Sequence, residues 1–445
     1  MFHIFLQKFR ISIFSAWRLL FFVALGFCLT GCQSGPRGEP VPPAIDPVAE
    51  QTQSADPVSV SSPSPAGITG EARHLVIWAP EFFTRSGDGS AGQTIDAALT
   101  QFEQNRANLS VEIQTRAATG ESGTFAYLQS AQQVAPDILP DIALVRTSDL
   151  WQLADLGVFP PFTAQESAAF GEFYPFAEAA ITYSGEPWGV PYTADVVHLV
   201  YHPERVQSPP VTWANLLEAN YRYLFPAGSR DGYAGESILL QYVGAGGELL
   251  EDGTVTNPEA LEAVFDFYGE AKGAGIFPEE VEQYAGFSSV WDDFRQRPVD
   301  LADVTASSLL LGNAAVTEIG YQFAPTLSGV QVTPAETWAF AVLTKEPEQR
   351  AVAMDLLAVL LQPAVQGEWS QLAGRLPTRP AAFAVWPENN GYYNFLRDEA
   401  VPIAFSQPNG RLYLQFSARV QEALRGVLAG TLTPAEAVLQ VRGSP

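Results

Sequence analysis

The sequence predicts an α/β fold in two lobes, and three observations carry that expectation. Short apolar runs alternate with helical patterns where the folded region begins, the signature of parallel βαβ units with helices on both faces of a sheet. The chain has 445 residues, more than one ordinary core accommodates and enough for two lobes with appendages. An apolar fraction of 47% with 16% charged residues describes a globular protein rather than a disordered one.

Each element follows from its own pattern. His74-Leu75-Val76-Ile77-Trp78 is an apolar run that reads as a buried strand. A helix with Ile95, Ala98, Leu99 and Phe102 on one face comes next, then alternating Val111-Glu112-Ile113-Gln114, then a helix through Phe125, Leu128 and Val134. Ile142-Ala143-Leu144-Val145 forms a third strand, followed by a helix beginning near Ser148 and Asp149, both competent N-caps. Ligands in such sheets bind at the carboxyl ends of the strands, near a switch in strand order. That directs attention to the loops after Trp78 and after Val145. Residues 185–192 are turn-rich and lead into an apolar strand at 196–201. Thr212, behind Pro209 and Pro210, caps a helix starting at Trp213. Helices are expected at about 237–243, 258–274 and 348–361, the last preceded by a strand at 337–343. No tandem repeat occurs at solenoid periods.

The N-terminus has a different logic. Lys8, Arg10 and Arg18 precede an apolar run from Leu19 to Leu29 that ends in Leu29-Thr30-Gly31-Cys32. A positive segment followed by an apolar one of this length reads as a secretory signal, residues 1–31. Its end resembles the lipobox of bacterial lipoproteins, which implies cleavage before Cys32 and lipid modification of that cysteine. Residues 32–73 then hold the lipidated Cys32 and a Pro/Ser-rich stretch, with Pro36, Pro40, Pro42, Pro43, Pro47, Pro57, Pro63 and Pro65. Without periodic apolar residues this stretch is expected to be a disordered tether. Cys28 would leave with the signal, so neither cysteine belongs to a disulfide framework or a zinc site. With 24 basic and 49 acidic side chains the net charge is −25, which argues against nucleic acid as a partner.

Four blocks carry a resemblance. The first runs from Pro140-Asp141-Ile142 through Leu150, Leu153 and Leu156-Gly157 to Phe159-Pro160-Pro161-Phe162. The second is Gly185-Glu186-Pro187-Trp188-Gly189-Val190-Pro191, with Val200-Tyr201 and Pro210-Val211-Thr212-Trp213 beyond it. The third is Trp338-Ala339-Phe340-Ala341-Val342, then 348–364, Gln366 and the turn at 374–377. The fourth is Leu428-Ala429-Gly430 with Thr433-Pro434-Ala435-Glu436-Ala437-Val438. Together they resemble the family-1 extracellular solute-binding proteins of ABC importers, the group that includes maltose-type binding proteins. The resemblance implies a two-lobed periplasmic-binding-protein-like fold with hinge strands between the lobes. Lobe one would hold 74–193 plus 338–380, and lobe two 197–335 plus 381–445. It also implies a lipid-anchored, extracytoplasmic, monomeric protein that passes a small solute, a sugar or oligosaccharide, to the permease subunits of an ABC transporter, with no cofactor and no catalysis.

Sugars are bound by aromatic faces beneath the ring and polar side chains at the hydroxyls. On that basis the candidate ligand-binding residues are Trp78, Phe82, Ser148, Tyr192, Asp195, Tyr233, Trp291, Tyr321, Trp338 and Arg375. Any single aromatic is more often a core residue, and Trp188 and Trp213 fall in framework blocks as packing residues. Glu81, Asp149, Glu236 and Arg375 belong by composition to solvated surface.

Other chemistries find little support. Gly87-Asp88-Gly89-Ser90-Ala91-Gly92 matches the dinucleotide fingerprint, but Pro80 to Ser86 separate it from the strand end where the first glycine must sit. It reads as a flexible binding loop. His198 and His202 share a strand face too far apart for one metal. Two alternatives stay open: an exported hydrolase such as a glycosidase, with Asp292-Asp293 or Glu279-Glu280 as its acids, and a binding scaffold without ligand that serves another protein.

Overall fold

The chain was described by a computed structural model covering residues 73–85, 90–229, 231–312 and 318–443. The expected signal, Cys32 and nearly all of the tether lie outside the described residues, as do Gly87, Asp88 and Gly89 of the glycine-rich loop.

Three parallel strands open the first lobe: β1 (Arg73–Pro80), β2 (Leu109–Arg116) and β3 (Ile142–Arg146), with β1 in the middle. Helix α1 (Ser90–Gln104) links β1 to β2, α2 (Thr124–Val134) links β2 to β3, and α3 (Thr147–Asp155) follows β3 directly. The strands are covered on both faces. Leu75, Ile77, Ile142 and Leu144 pack with Ile95, Leu99 and Phe102 of α1. One residue out of phase, Trp78, Ala143 and Val145 pack with Leu128, Leu150 and Leu153 of α2 and α3. The two-residue period of a strand makes that division. Short helices α4 (Ala164–Ala168) and α5 (Pro175–Ile181) and the small pair β4 (Thr182–Tyr183) and β5 (Glu186–Pro187) lead to the crossing.

The crossing strand is β6 (Val190–Tyr201), twelve residues of nearly unbroken burial. Beyond it the second lobe is built from α6 (Trp213–Ala219), β7 (Tyr223–Leu224), α7 (Glu236–Gly244), α8 (Pro258–Gly273), α9 (Phe287–Gln296), β8 (Leu301–Thr305), α10 (Ala306–Leu311) and β9 (Gly320–Gln322). Capping explains where several helices start: Thr212 accepts from the Asn215 amide, and Asn257 accepts from Ala260 beside Pro258. The chain returns through β10 (Thr333–Val342) to α11 (Pro347–Leu360) and α12 (Pro363–Leu372), which pack on α1. It then passes β11 (Leu376–Pro377), α13 (Pro380–Phe383), α14 (Gly391–Asn394) and β12 (Ala404–Phe405) to α15 (Arg411–Leu428) and α16 (Pro434–Arg442), which pack on α8.

The strand order β2-β1-β3-β10-β6-β8-β7 is where the two lobes meet. Val190 to Val196 of β6 pair antiparallel with β10, and Val197 to Tyr201 pair with β8. The far half of β10, Trp338 to Val342, pairs antiparallel with β3. Two antiparallel strands thus lock onto a parallel sheet and bridge to a second one. Trp188 and Trp213 are both packed: the Trp188 indole donates to the Tyr183 carbonyl, and Trp213 stacks 4.6 Å from Phe267 while donating to Gln241.

Candidate functional site

A cavity of about 340 Å³ opens where the lobes and β10 come together, within the range of roughly 300–1,000 Å³ usual for small-molecule sites. The first lobe supplies Arg146, Thr147, Ser148, Asp149 and Gln152, from the carboxyl end of β3 and the first turns of α3. The second lobe supplies Gly228, Ser229, Asp231, Tyr233 and Glu236 at the start of α7, while Ala335, Glu336 and Thr337 of β10 lie between the two walls. This is the strand-end position that an α/β sheet reserves for ligands.

Both walls are held in place. The Thr147 hydroxyl donates to the Thr337 carbonyl at 3.1 Å, tying the first turn of α3 to the crossing strand. On the other side Gly228 donates to the Tyr284 carbonyl, and a Cβ at Gly228 would stand 2.7 Å from that oxygen, so only glycine permits the approach. The Ala234 amide donates to Ser417 of α15. Beneath α7, Asp303 is buried and accepts from Ser237 at 2.7 Å and from the Tyr223 hydroxyl. Burial pushes Asp303 up to about 6, against the pull of those two hydroxyls.

The cavity is acidic. Asp149 is raised by burial and held partly in check by Arg146, whose guanidinium donates to it at 3.2 Å. Glu236 is pushed up to about 7, first by burial and then by the negative charge of Glu336. Deeper along β6, Asp195 accepts from the Ser307 amide at 3.0 Å and from the Ser307 hydroxyl. Burial raises Asp195, and Arg375 offsets part of that rise. Three donors at this level have no hydrogen-bond partner among the described residues: the Thr337 hydroxyl, the Trp338 indole and Nε of Arg375. Buried donors without partners cost about 1–3 kcal/mol each.

The ten candidates from the sequence fall into four groups. Ser148 and Tyr233 line the cavity. Phe82, Trp338, Arg375 and Asp195 form a connected set behind it: Phe82 meets Trp338 edge-on at 5.1 Å, the Arg375 guanidinium lies 4.3 Å over the Phe82 ring, and Arg375 acts on Asp195. Tyr321 borders a separate cavity of about 280 Å³ on the second lobe, with Val211, Phe323, Val330, Phe395 and Glu399. Trp78, Tyr192 and Trp291 lie outside the lining of either cavity. Trp78 is 4% exposed, covered by the Arg116 guanidinium and the edge of Tyr127, and Tyr192 is 0% exposed among Phe83, Phe340 and Trp369. Trp291 is buried against Phe294. For Trp78 and Tyr192, strands covered on both faces leave the ring no open side.

Sequence reasoning passed over Arg146, Asp231, Glu336 and Thr337, and took Asp149 and Glu236 for solvated surface. Asp149 is instead buried and Glu236 half-buried. The available signal was position: Arg146 and Asp149 belong to the strand-end loop after Val145 already singled out for a ligand.

Comparison with known proteins gives one family. A profile described as bacterial extracellular solute-binding protein matches residues 97–391, more than half of the 445. A maltotriose-binding protein of Pyrococcus abyssi (strain GE5 / Orsay) is 27% identical over 141 residues, which are 29% of this chain and 31% of that protein. The chain therefore spans under a third of that relative's length in the match. Maltose-bound MalE3 of T. maritima superposes with a TM-score of 0.65 at 19% identity, covering 83% of this chain and 98% of that one. The sugar-binding protein MalE of Xanthomonas citri gives 0.67 at 17% identity, covering 83% and 95%. At these identities the two structures establish the fold, a two-lobed α/β architecture.

Proposed function

Because the chain belongs to the bacterial extracellular solute-binding proteins, we propose that it captures a carbohydrate in the cavity between its lobes and delivers it to the permease of an ABC importer. The family is one of substrate-binding proteins acting outside the cytoplasm, not of enzymes. One observation supports the reading most: a cavity built from both lobes and from the strand that crosses between them. Rotation about the crossing strands would close Ser148 and Gln152 of the first wall toward Ser229 and Tyr233 of the second. Hinge closure of this kind buries the ligand and joins two surfaces that a transporter reads together. Hydroxyl and carboxylate groups on both walls offer donors and acceptors for sugar hydroxyls. The relatives point the same way, since their names record maltotriose and maltose.

A ligand that binds only the folded protein stabilises it by about 2.7 kcal/mol at a hundredfold excess over Kd. For a chain of this size that amounts to a few degrees in Tm. A thermal-shift screen of mono- and oligosaccharides is expected to show such a shift with at least one sugar recovered unchanged. Silence across the sugars, with shifts from amines or peptides instead, would remove the carbohydrate assignment. Cleavage of the sugar would restore the hydrolase alternative.

Anchoring rests on Cys32 and the Pro/Ser-rich stretch behind it. Two or more acyl chains give the stable membrane attachment that one does not. Cys32→Ser is expected to move the protein from the membrane to the soluble fraction of a bacterial host. Identical fractionation of the two forms would refute the lipid anchor.

A further inference from the structure

We propose that the second lobe carries a separate saccharide position in the cavity of about 280 Å³ beside Tyr321, where one neutral sugar ring stacks on Tyr321 and bonds to Glu399. This cavity shares no lining residue with the one between the lobes. The proposal goes beyond the function given above and does not depend on what the interlobe cavity takes. The site lies at the edge of β9, which pairs with β6 alone among the described residues. Tyr321 of β9 and Phe323 just beyond it both meet Phe395, at 5.3 and 5.2 Å between ring centres. Phe395 opens a π turn, Phe395–Ala400, a rare geometry that is frequent at functional sites. Glu399, four residues on, falls on the same side of that turn as Phe395. Phe323 and Phe395 are buried, while Tyr321 is only partly covered and faces the opening. Unlike Trp78, Tyr192 and Trp291 it is not closed in by packing. Its hydroxyl makes no hydrogen bond among the described residues. A Cβ on Gly391 would stand 3.0 Å from that hydroxyl, so the glycine keeps its surroundings clear.

The opposite rim is fixed in place. Buried Thr326 donates its amide to the Val211 carbonyl at 3.3 Å and its hydroxyl to the Val330 carbonyl at 2.9 Å. Gly329 turns the intervening loop at a φ of +80°, a conformation that favours glycine, and a Cβ there would press on Val211 at 3.1 Å. Val211 and Val330 are thereby held at the mouth, 54% and 50% exposed. A cavity already open before its ligand arrives spares the complex the cost of ordering loops.

The lining selects the class of ligand. The Tyr321 ring and the valine methyls suit the apolar face of a pyranose. The Tyr321 hydroxyl, the Glu399 carboxylate and the Gln331 amide suit its hydroxyls. Glu399 and Tyr321 face one opening closely enough that the phenol is raised first by burial and then by the Glu399 charge. Arg397, two residues before Glu399, is taken by Asp398, so the Glu399 carboxylate is left to accept from a ligand. No basic side chain lines the cavity, so an anionic ligand finds no partner there. Glu399 is exposed, and exposed ion pairs contribute little, so a cation gains little either. The volume falls just under the roughly 300–1,000 Å³ usual for small-molecule sites, which suits a single ring.

Methyl NMR of valine-labelled protein tests this, with glucose, galactose, mannose, maltose and maltotriose as probes at pH 7. For at least one of them the Val211 and Val330 methyl signals are expected to shift and saturate. Tyr321→Ala should weaken that binding tenfold or more, and Glu399→Ala threefold or more. Circular dichroism melting checks both variants. Glu399 is exposed, so its variant is expected to fold, and it decides alone should Tyr321→Ala unfold. If the rim methyls saturate with none of the probes, the proposal is overturned, and a sugar that still raises Tm leaves the interlobe reading standing. Rim shifts of unchanged affinity in every variant that folds also overturn it, because they then report movement of the lobes and not a sugar in this cavity. If the rim saturates and Tyr321→Ala abolishes every response to sugar, the Tm shift included, this proposal stands and the interlobe assignment falls.

Discussion

On the first lobe's wall Asp149 is buried beside Arg146, while on the second lobe's wall Glu236 meets the like charges of Glu336 and Asp195 and a weaker pull from Arg146. Both carboxyls are raised by burial, yet their surroundings answer that burial differently. The first wall is complete within itself: the ion pair spans one turn, Arg146 to Asp149, and the adjoining Thr147 hydroxyl is bonded to β10. The second wall is supported from below, by Asp303 under Ser237, but Glu236 at its upper edge makes no ion pair among the described residues. One wall pairs its buried acid within a single helical turn, and the other leaves its acid without an ion pair among the described residues.

The larger expected effect lies on the completed side. Arg146→Ala would leave Asp149 buried and unpaired, and an unsatisfied buried group of this kind costs about 1–3 kcal/mol. Urea unfolding of the variant should show a loss on that scale at pH 7, shrinking at low pH as Asp149 takes up a proton. A variant as stable as the parent at pH 7 would mean that the pair is ornamental and the two walls alike.

The smaller effect is on the open side and changes with pH. Glu236 titrates near 7 in the folded protein and near the ordinary 4.5 when unfolded. Between those values the folded state holds the extra proton, so this group costs stability as pH rises through the window. Glu236→Gln removes the cost. Its Tm should match the parent's at about pH 4.5 and exceed it by pH 8. His198 works in the opposite sense, since burial lowers it to about 4 and stability is lost as pH falls from 6.5 toward that value. The difference between variant and parent therefore isolates Glu236. A constant difference across pH would show that its carboxyl is not raised.

Most of the architecture was legible because local rules and packing agreed. The runs at Leu75–Trp78 and Ile142–Val145 became buried strands, and Thr212 caps α6 as its place before Trp213 suggests. Where they disagreed, tertiary position decided. Val134 continues the apolar pattern of α2 but ends the helix 84% exposed. The site was harder to read, for a physical reason. An aromatic residue announces area to be buried but not what buries it, so Trp78 and Tyr192 became core while Tyr233 stayed at the cavity, 40% exposed. Glu236 and Glu336 are a hundred residues apart in sequence and matter only because two lobes and a crossing strand meet. No spacing rule reaches that far.

The crossing strands also dictate the order in which this protein can assemble. One edge of β3 is covered only by Trp338 to Val342, and the bond between Thr147 and Thr337 spans 190 positions in the chain. A chain emerging from its N-terminus therefore completes β1, β2 and β3 long before their last neighbour exists. During that interval the β3 edge displays unpaired amides and carbonyls, the template on which strands of separate chains associate. Contacts so distant along the chain are slow to form. The first lobe, though begun first, is finished only after most of the second has been synthesised, so neither half is expected to fold as an isolated fragment.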